Sequence, residues 1–141
     1  MKLRIAGLAM LVLMSACRTV VTTTTEVRPS RYAVVEFTRQ IAPDSVLVYA
    51  ARSAQAENLT IQKVDREAGT VIAGPVKIAE SAGLPALEAL ITIAARSSGP
   101  ETTVRITASS AVEANQMGGT DARLMELVQR VQKHMEEQIG Q

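Results

Sequence analysis

One histidine and one cysteine in 141 residues leave little material for catalysis. His134 stands alone, so neither a histidine metal cluster nor a histidine-centred triad can be built around it. Its neighbours Lys133, Glu136 and Glu137 place it on a solvated helix side. Glu136 and Glu137 are adjacent, and successive side chains on a helix diverge by about 100°, so the two do not converge as acid and base. Asp65 and Glu67 flank a turn, where Asp commonly organises the backbone. Gly118-Gly119-Thr120 could hold an anion on free N–H groups, but it lacks the Lys and the spacing of a phosphate loop, so it reads as a capped helix start. Ser97-Ser98 and Ser109-Ser110 have no histidine-bearing motif nearby and read as turn and strand surface. Met117, Met125 and Met135 read as packing. The sequence therefore points to no catalytic, metal-binding or cofactor-binding residue, and to a protein that is not an enzyme.

The remaining reactive side chain, Cys17, sits in a different context. Lys2 and Arg4 form a short basic region, Ile5 to Met14 form a ten-residue apolar run, and Ser15-Ala16 place two small residues before the cysteine. That order is the order of a secretory signal. The apolar run is too short to span a hydrocarbon layer of roughly 30 Å, which takes about 20 helical residues. Met14-Ser15-Ala16-Cys17 resembles the lipobox of bacterial lipoproteins, with Met14 where Leu is commoner. The resemblance implies that a diacylglyceryl group joins the Cys17 sulfur and that cleavage leaves Cys17 as an acylated N-terminus. Arg18 in place of Asp further implies the outer membrane. The alternative is a conventional signal with Cys17 left as a thiol, although Met14 stands where an ordinary cut after Ala16 wants a small residue. With one cysteine, no internal disulfide is possible. Two or more acyl chains give stable anchoring where one holds only reversibly. The expected partners are the membrane, through Cys17, and an envelope protein of unstated identity facing the periplasm.

Removal of residues 1–16 takes Lys2 and Arg4 with it and leaves 13 basic against 14 acidic residues. A near-neutral domain without a run of like charge lacks the basic stripe that nucleic acid requires. Tyr32, Phe37 and Tyr49 are the whole aromatic supply, too few to stack bases. The core must be aliphatic. Residues 17–30 lack a helical period, contain four consecutive threonines and close on Pro29-Ser30, so they read as a tether reaching at most about 50 Å. The other reading of this stretch is a first edge strand. Residues 31–141 make a single domain.

The positioning elements follow from periodicity. In Arg31 to Arg39, Val35 and Phe37 alternate with Glu36 and Thr38 as in a half-buried strand. Ser45 to Glu57 has Val46, Leu47, Ala50, Ala51 and Ala54 on one small apolar face, with Pro43 in its first turn, Asp44 or Ser45 as cap and Asn58 as its left-handed C-terminal residue. Leu59 to Asp65 and Thr70 to Ile78 form a hairpin turning at Gly69. Within it Ile72, Gly74, Val76 and Ile78 share a face, and Pro75 marks an edge strand or a bulge. Leu87 to Arg96 and Thr102 to Val112 form a second hairpin, with Val104, Ile106, Ala108, Ser110 and Val112 inward. Thr120 or Asp121 caps a final helix, Ala122 to Gln138, striped by Leu124, Leu127, Val128, Val131 and Met135. The order β-α-β-β-β-β-α predicts an α+β two-layer sandwich, a mainly antiparallel sheet of about five strands with both helices on one face.

Pro43 to Gly74, with its run NLTIQKVDREAGTVIAG, looks like a recurring unit of small envelope lipoproteins. The whole order over roughly residues 31–139 is similar to helix-grip domains of BamC-like envelope lipoproteins. The resemblance implies a fold and a compartment; a place beside outer-membrane assembly machinery is analogy only. The expected function is that of a lipid-anchored, non-catalytic interaction module, with Thr102 to Val112 offering an edge for strand addition. The alternative is a carrier or sensor of a small apolar ligand held between helix and sheet, suggested by the small face at residues 50–54.

Overall fold

The computed structural model describes residues 30–80, 83–111 and 120–140. The signal segment, Cys17, the tether up to residue 29, Met117, Gly118-Gly119 and Val112 lie outside them. Seven elements follow one another: β1 (Ser30–Arg39), α1 (Pro43–Ala56), β2 (Ile61–Asp65), β3 (Thr70–Ile78), β4 (Leu87–Ser98), β5 (Glu101–Ala111) and α2 (Thr120–Ile139). The five strands make one antiparallel sheet in the order β1-β5-β4-β3-β2. Both helices pack on the same face of it, α2 over β1 and β5, and α1 over β4, β3 and β2, with the two helices in contact. This is the expected α+β sandwich and element order.

Sheet order corrects one expectation. β5 lies in the middle, paired with β1 from Ser30↔Ala111 to Arg39↔Thr102 and with β4 from Leu90↔Ser109 to Ser98↔Glu101. Its backbone groups are taken by a strand on each side, so β5 does not offer the edge for strand addition expected of Thr102 to Val112, of which Val112 lies outside the described residues. Alternation along a strand states which side chains are buried; it does not state which strands are neighbours.

The expected inward set on β5 is buried, Val104, Ile106, Ala108 and Ser110, joined by Thr102, whose hydroxyl donates to the Ile41 carbonyl. Ser110 is thus an inward residue and not strand surface; its hydroxyl donates to the Glu88 carbonyl. On β3 the pattern breaks at Pro75, where register shifts between Ala73 and Val76. Before the shift Val71 and Ala73 are buried; after it Val76 and Ile78 pack on the core, so the inward parity changes from odd to even. Ile72 therefore does not share a face with Val76, as strict alternation predicted. Pro75 marks the bulge, not an edge, since β3 has β2 on one side and β4 on the other. Gly74 makes the bulge possible: at φ 114° a Cβ there would stand 2.9 Å from the Ala89 carbonyl oxygen. Its N–H donates to Thr60 O at 2.8 Å, and its carbonyl accepts from the Gln62 amide.

α1 runs from Pro43 to Ala56, starting two residues before Ser45 with Pro43 in its first turn as expected. Pro43 opens it, Ala42 precedes it without a side-chain cap, and neither Asp44 nor Ser45 caps. Its end follows the expected logic. Asn58 takes φ 60°, Leu59 N–H reaches Ala54 O at 3.0 Å, and Asn58 N–H reaches Gln55 O at 3.0 Å, the paired bonds of a Schellman motif. Leu59 is buried as the motif's hydrophobic contact, so β2 begins only at Ile61. α2 as described runs from Thr120 to Ile139, with Asp121 in its first turn.

The core is aliphatic throughout. Leu124, Leu127, Val128, Val131 and Met135 are buried along α2 against Ala33, Val104, Ile106 and Ala108 of the sheet. A Leu127→Ala substitution removes a side chain that is 2% exposed. It is expected to lower stability by about 2–5 kcal/mol, read as a lower urea midpoint at unchanged slope.

Candidate functional site

The residues first weighed for chemistry are dispersed, and most hold elements together. Glu57, just past α1, receives Arg130 Nε at 3.0 Å on one carboxylate oxygen and lies 3.0 Å from His134 Nε2 through the other. Its side chain is only 15% exposed. His134 is therefore half of a tie between the helices and not simply a solvated side chain. Sequence reading missed this because residues 57 and 134 meet only when the helices pack. Arg130 also reaches Glu126, four residues earlier on α2, at 3.2 Å. Glu136 and Glu137 diverge as expected: Glu136 pairs with Arg39 at the end of β1, and Glu137 lies near Lys133. Arg31 and Asp121 tie the start of β1 to the start of α2. Arg123 donates twice to the Pro85 carbonyl, each at 2.8 Å.

Asp65 organises the β2–β3 turn, as expected. The Ala68 N–H donates to its Oδ1 at 2.9 Å and Lys63 Nζ stands 3.0 Å from its other oxygen. The Ala68 N–H first, and then Lys63, hold this carboxyl below its ordinary value of 3.8. Among the described residues no group of three or more His, Cys, Asp and Glu side chains is placed to hold a metal ion. Ser97-Ser98 close β4 at an exposed turn, and Met135 is core while Met125 packs on its rim.

An opening of different character lies beside the sheet margin. α1 and β2 enclose a groove of about 460 Å³, lined by Leu47, Val48, Ala51 and Val64 with Asp44, Ser45, Arg52 and Arg66 around them. Val48 and Val64 are 46% and 45% exposed, and Tyr32 is the only other large apolar side chain comparably exposed among the described residues. The groove follows from the bulge in β2. Register shifts between Ile61 and Lys63, so Ile61 and Val64, not Ile61 and Lys63, face the helix side. Val64 thus turns toward α1 beyond the area the helix covers. The small face of α1 divides in two: Ala50, Ser53 and Ala54 are fully buried in packing, while Ala51 lines the groove. A second hollow, on the sheet face away from the helices, is lined by Glu36, Ala94, Arg96, Thr103 and Arg105 and holds only about 60 Å³. That is far below the ~300 Å³ at which small-molecule sites begin. Thr107 also lies on this outer face, half-buried, opposite Thr92 of β4.

No protein-family model matches the chain, and no curated protein sequence matches it. Solved structures do. The ginseng major latex-like protein 151 from Panax ginseng superposes with a TM-score of 0.50 at 7% identity, over 77% of this chain and 97% of that one. The fold is of the helix-grip kind. The TTHA0849 protein of Thermus thermophilus superposes with a TM-score of 0.47 at 15% identity, over 76% of this chain and 95% of that one. These identities concern the path of the chain and carry no site residues across.

Two outcomes check the polar assignments. Glu57→Ala strips Arg130 and His134 of their shared acceptor and is expected to cost about 1 kcal/mol in urea unfolding, with Arg130→Ala adding little on top of it. For Asp65, a folded-state pKa below the unfolded one means that the stabilisation is present above the unfolded value and lost as pH falls through the folded one. The stability gap between wild type and Asp65→Asn is therefore expected to be flat above about pH 5 and to close at lower pH.

Proposed function

We propose that this chain is a lipid-anchored, non-catalytic interaction module of the bacterial cell envelope, held by acylated Cys17 and facing the periplasm from the outer membrane. The binding half of this reading is carried by the groove between α1 and β2. Its lining is apolar, two of its valines are half open to water, and no acid–base pair converges on it. An exposed apolar recess rimmed by charge is the usual mark of a protein or ligand contact. The anchoring half rests on Met14-Ser15-Ala16-Cys17 and the preceding basic and apolar segments. No described helix is long and apolar enough to cross a membrane. The near-neutral charge and scarce aromatics argue against nucleic acid as the partner.

A second reading, a carrier or sensor of a small apolar ligand, is favoured by the groove's volume, which falls in the range of small-molecule sites. The two separate in native mass spectrometry of the purified full chain. A bound lipid or other small molecule that is lost on Val48→Glu supports the carrier, and a bare chain supports the interaction module.

Intact mass and membrane fractionation test the anchor. Wild type expressed in a bacterial host is expected to be a membrane-bound product that begins at acylated Cys17. Cys17→Ser is expected to be unacylated and released from the membrane. An unmodified wild-type protein in the soluble periplasmic fraction overturns the anchor.

A further inference from the structure

β2 is an edge strand: β3 is its only strand neighbour, so its outer row of N–H and C=O groups faces away from the sheet. The α1 groove opens along that same margin, floored by Val48, Ala51 and Val64. Arg52 and Arg66 line it as well, and neither side chain makes a hydrogen bond or ion pair among the described residues. An edge with unpaired backbone groups, an adjacent apolar recess and free guanidinium groups are complementary to one kind of occupant.

We propose that a short extended segment of a partner protein adds to the free edge of β2, seats an apolar side chain on Val48, Ala51 and Val64, and gives an acidic side chain to Arg52 and Arg66. Backbone bonds supply strand addition with its affinity, and pockets for alternate side chains supply its specificity. Guanidinium groups bind carboxylates with charge-assisted, often bidentate hydrogen bonds. Asp44 is the single acid on the groove, so the two arginines outnumber it and an acidic strand is favoured over a basic one.

Charge also selects against a second copy of this chain. Antiparallel pairing of β2 with itself about its middle residue would set Lys63 opposite Lys63 and Ile61 opposite Asp65. The bulge between Ile61 and Lys63 bends the strand, so only a short stretch from Lys63 onward is straight enough to pair. An exposed Lys and a bulge are the usual guards against edge-to-edge association, and here they leave the acidic hetero-partner as the matched one.

This inference rests on the reading of the groove as a protein contact, and its test separates the two. The full chain, held in phosphatidylcholine vesicles, is titrated against a fluorescein-labelled peptide that alternates valine with threonine and ends in two glutamates. Anisotropy is expected to show saturable binding that weakens by about tenfold or more in the Arg52→Glu/Arg66→Glu double variant, whose replaced side chains are exposed and whose fold is checked by circular dichroism. The same peptide N-methylated at alternate residues is expected to bind no better than background to the unaltered protein, as is a version with lysines for the glutamates. Equal binding of the N-methylated peptide overturns strand addition, and equal binding of the lysine peptide overturns the acidic partner. A photoreactive residue at Val48 then decides what fails. A protein adduct in cells together with no peptide binding overturns the mode while leaving a protein contact. Palmitate bound at the groove with neither adduct nor peptide binding overturns both in favour of the small-ligand carrier.

Discussion

The apolar stripe of α2 lying on β1 and β5 is the contact from which the rest of this architecture follows. With two tyrosines, one phenylalanine and no tryptophan, the chain cannot fill its interior with a few large rings. It must bring many aliphatic side chains together at close range. A helix of 20 residues is about 30 Å long and lays Leu124, Leu127, Val128, Val131 and Met135 along the sheet in one line. That line covers only half of a five-stranded sheet. α1 has to cover the other half, and its small residues Ala50, Ser53 and Ala54 let it settle close to β3 and β4. Two helices side by side shield roughly 20 Å, while five strands at about 4.8 Å spacing are comparably wide only if none bends away. The bulge in β2 sends Val64 past the rim of α1, and the groove is the remainder.

Charged residues serve this packing from its margins. Arg31–Asp121, Arg39–Glu136 and Glu57 with Arg130 and His134 surround α2 at its start, its end and its contact with α1. Each is at least partly open to water, so each contributes modestly; their combined value is in fixing the position of a helix whose smooth aliphatic stripe would otherwise tolerate sliding. The same accounting identifies the residues that are not used this way. Arg52 and Arg66 stand on the groove without a partner among the described residues, while most of the charges around α2 are spoken for.

How much of this could be read from residues alone depends on whether the cause is local. Element order was legible because each element carries its own period, and Asn58 was legible as a helix terminator because its cause is a single left-handed residue. Pro75 signalled an irregularity, yet the change in inward parity depends on Gly74 fitting against Ala89, which is across the sheet. The central place of β5 was not legible for the same reason: its alternation fits an edge or a centre equally, and only β1 returning across the sheet to pair with it decides. The tie between Glu57 and His134 joins residues 77 positions apart. The groove was half legible. Ala51 belonged to the small apolar face that suggested an opening between helix and sheet, but Val64 reaches the helix side only because register shifts between Ile61 and Lys63.

Sheet order also bears on how the anchor and the groove relate. The chain enters the described domain at Ser30, the first residue of β1, and β1 and β2 are opposite margins of the sheet. Four strand spacings, about 19 Å, separate them. On the proposed anchoring at Cys17, the tether therefore joins the domain at one margin while the open edge and its groove lie at the other. A partner strand that adds to β2 extends the sheet away from the point of attachment and does not compete with β1 for space. On that same proposal, a partner approaching the β2 margin does not have to enter at the Ser30 end of the domain.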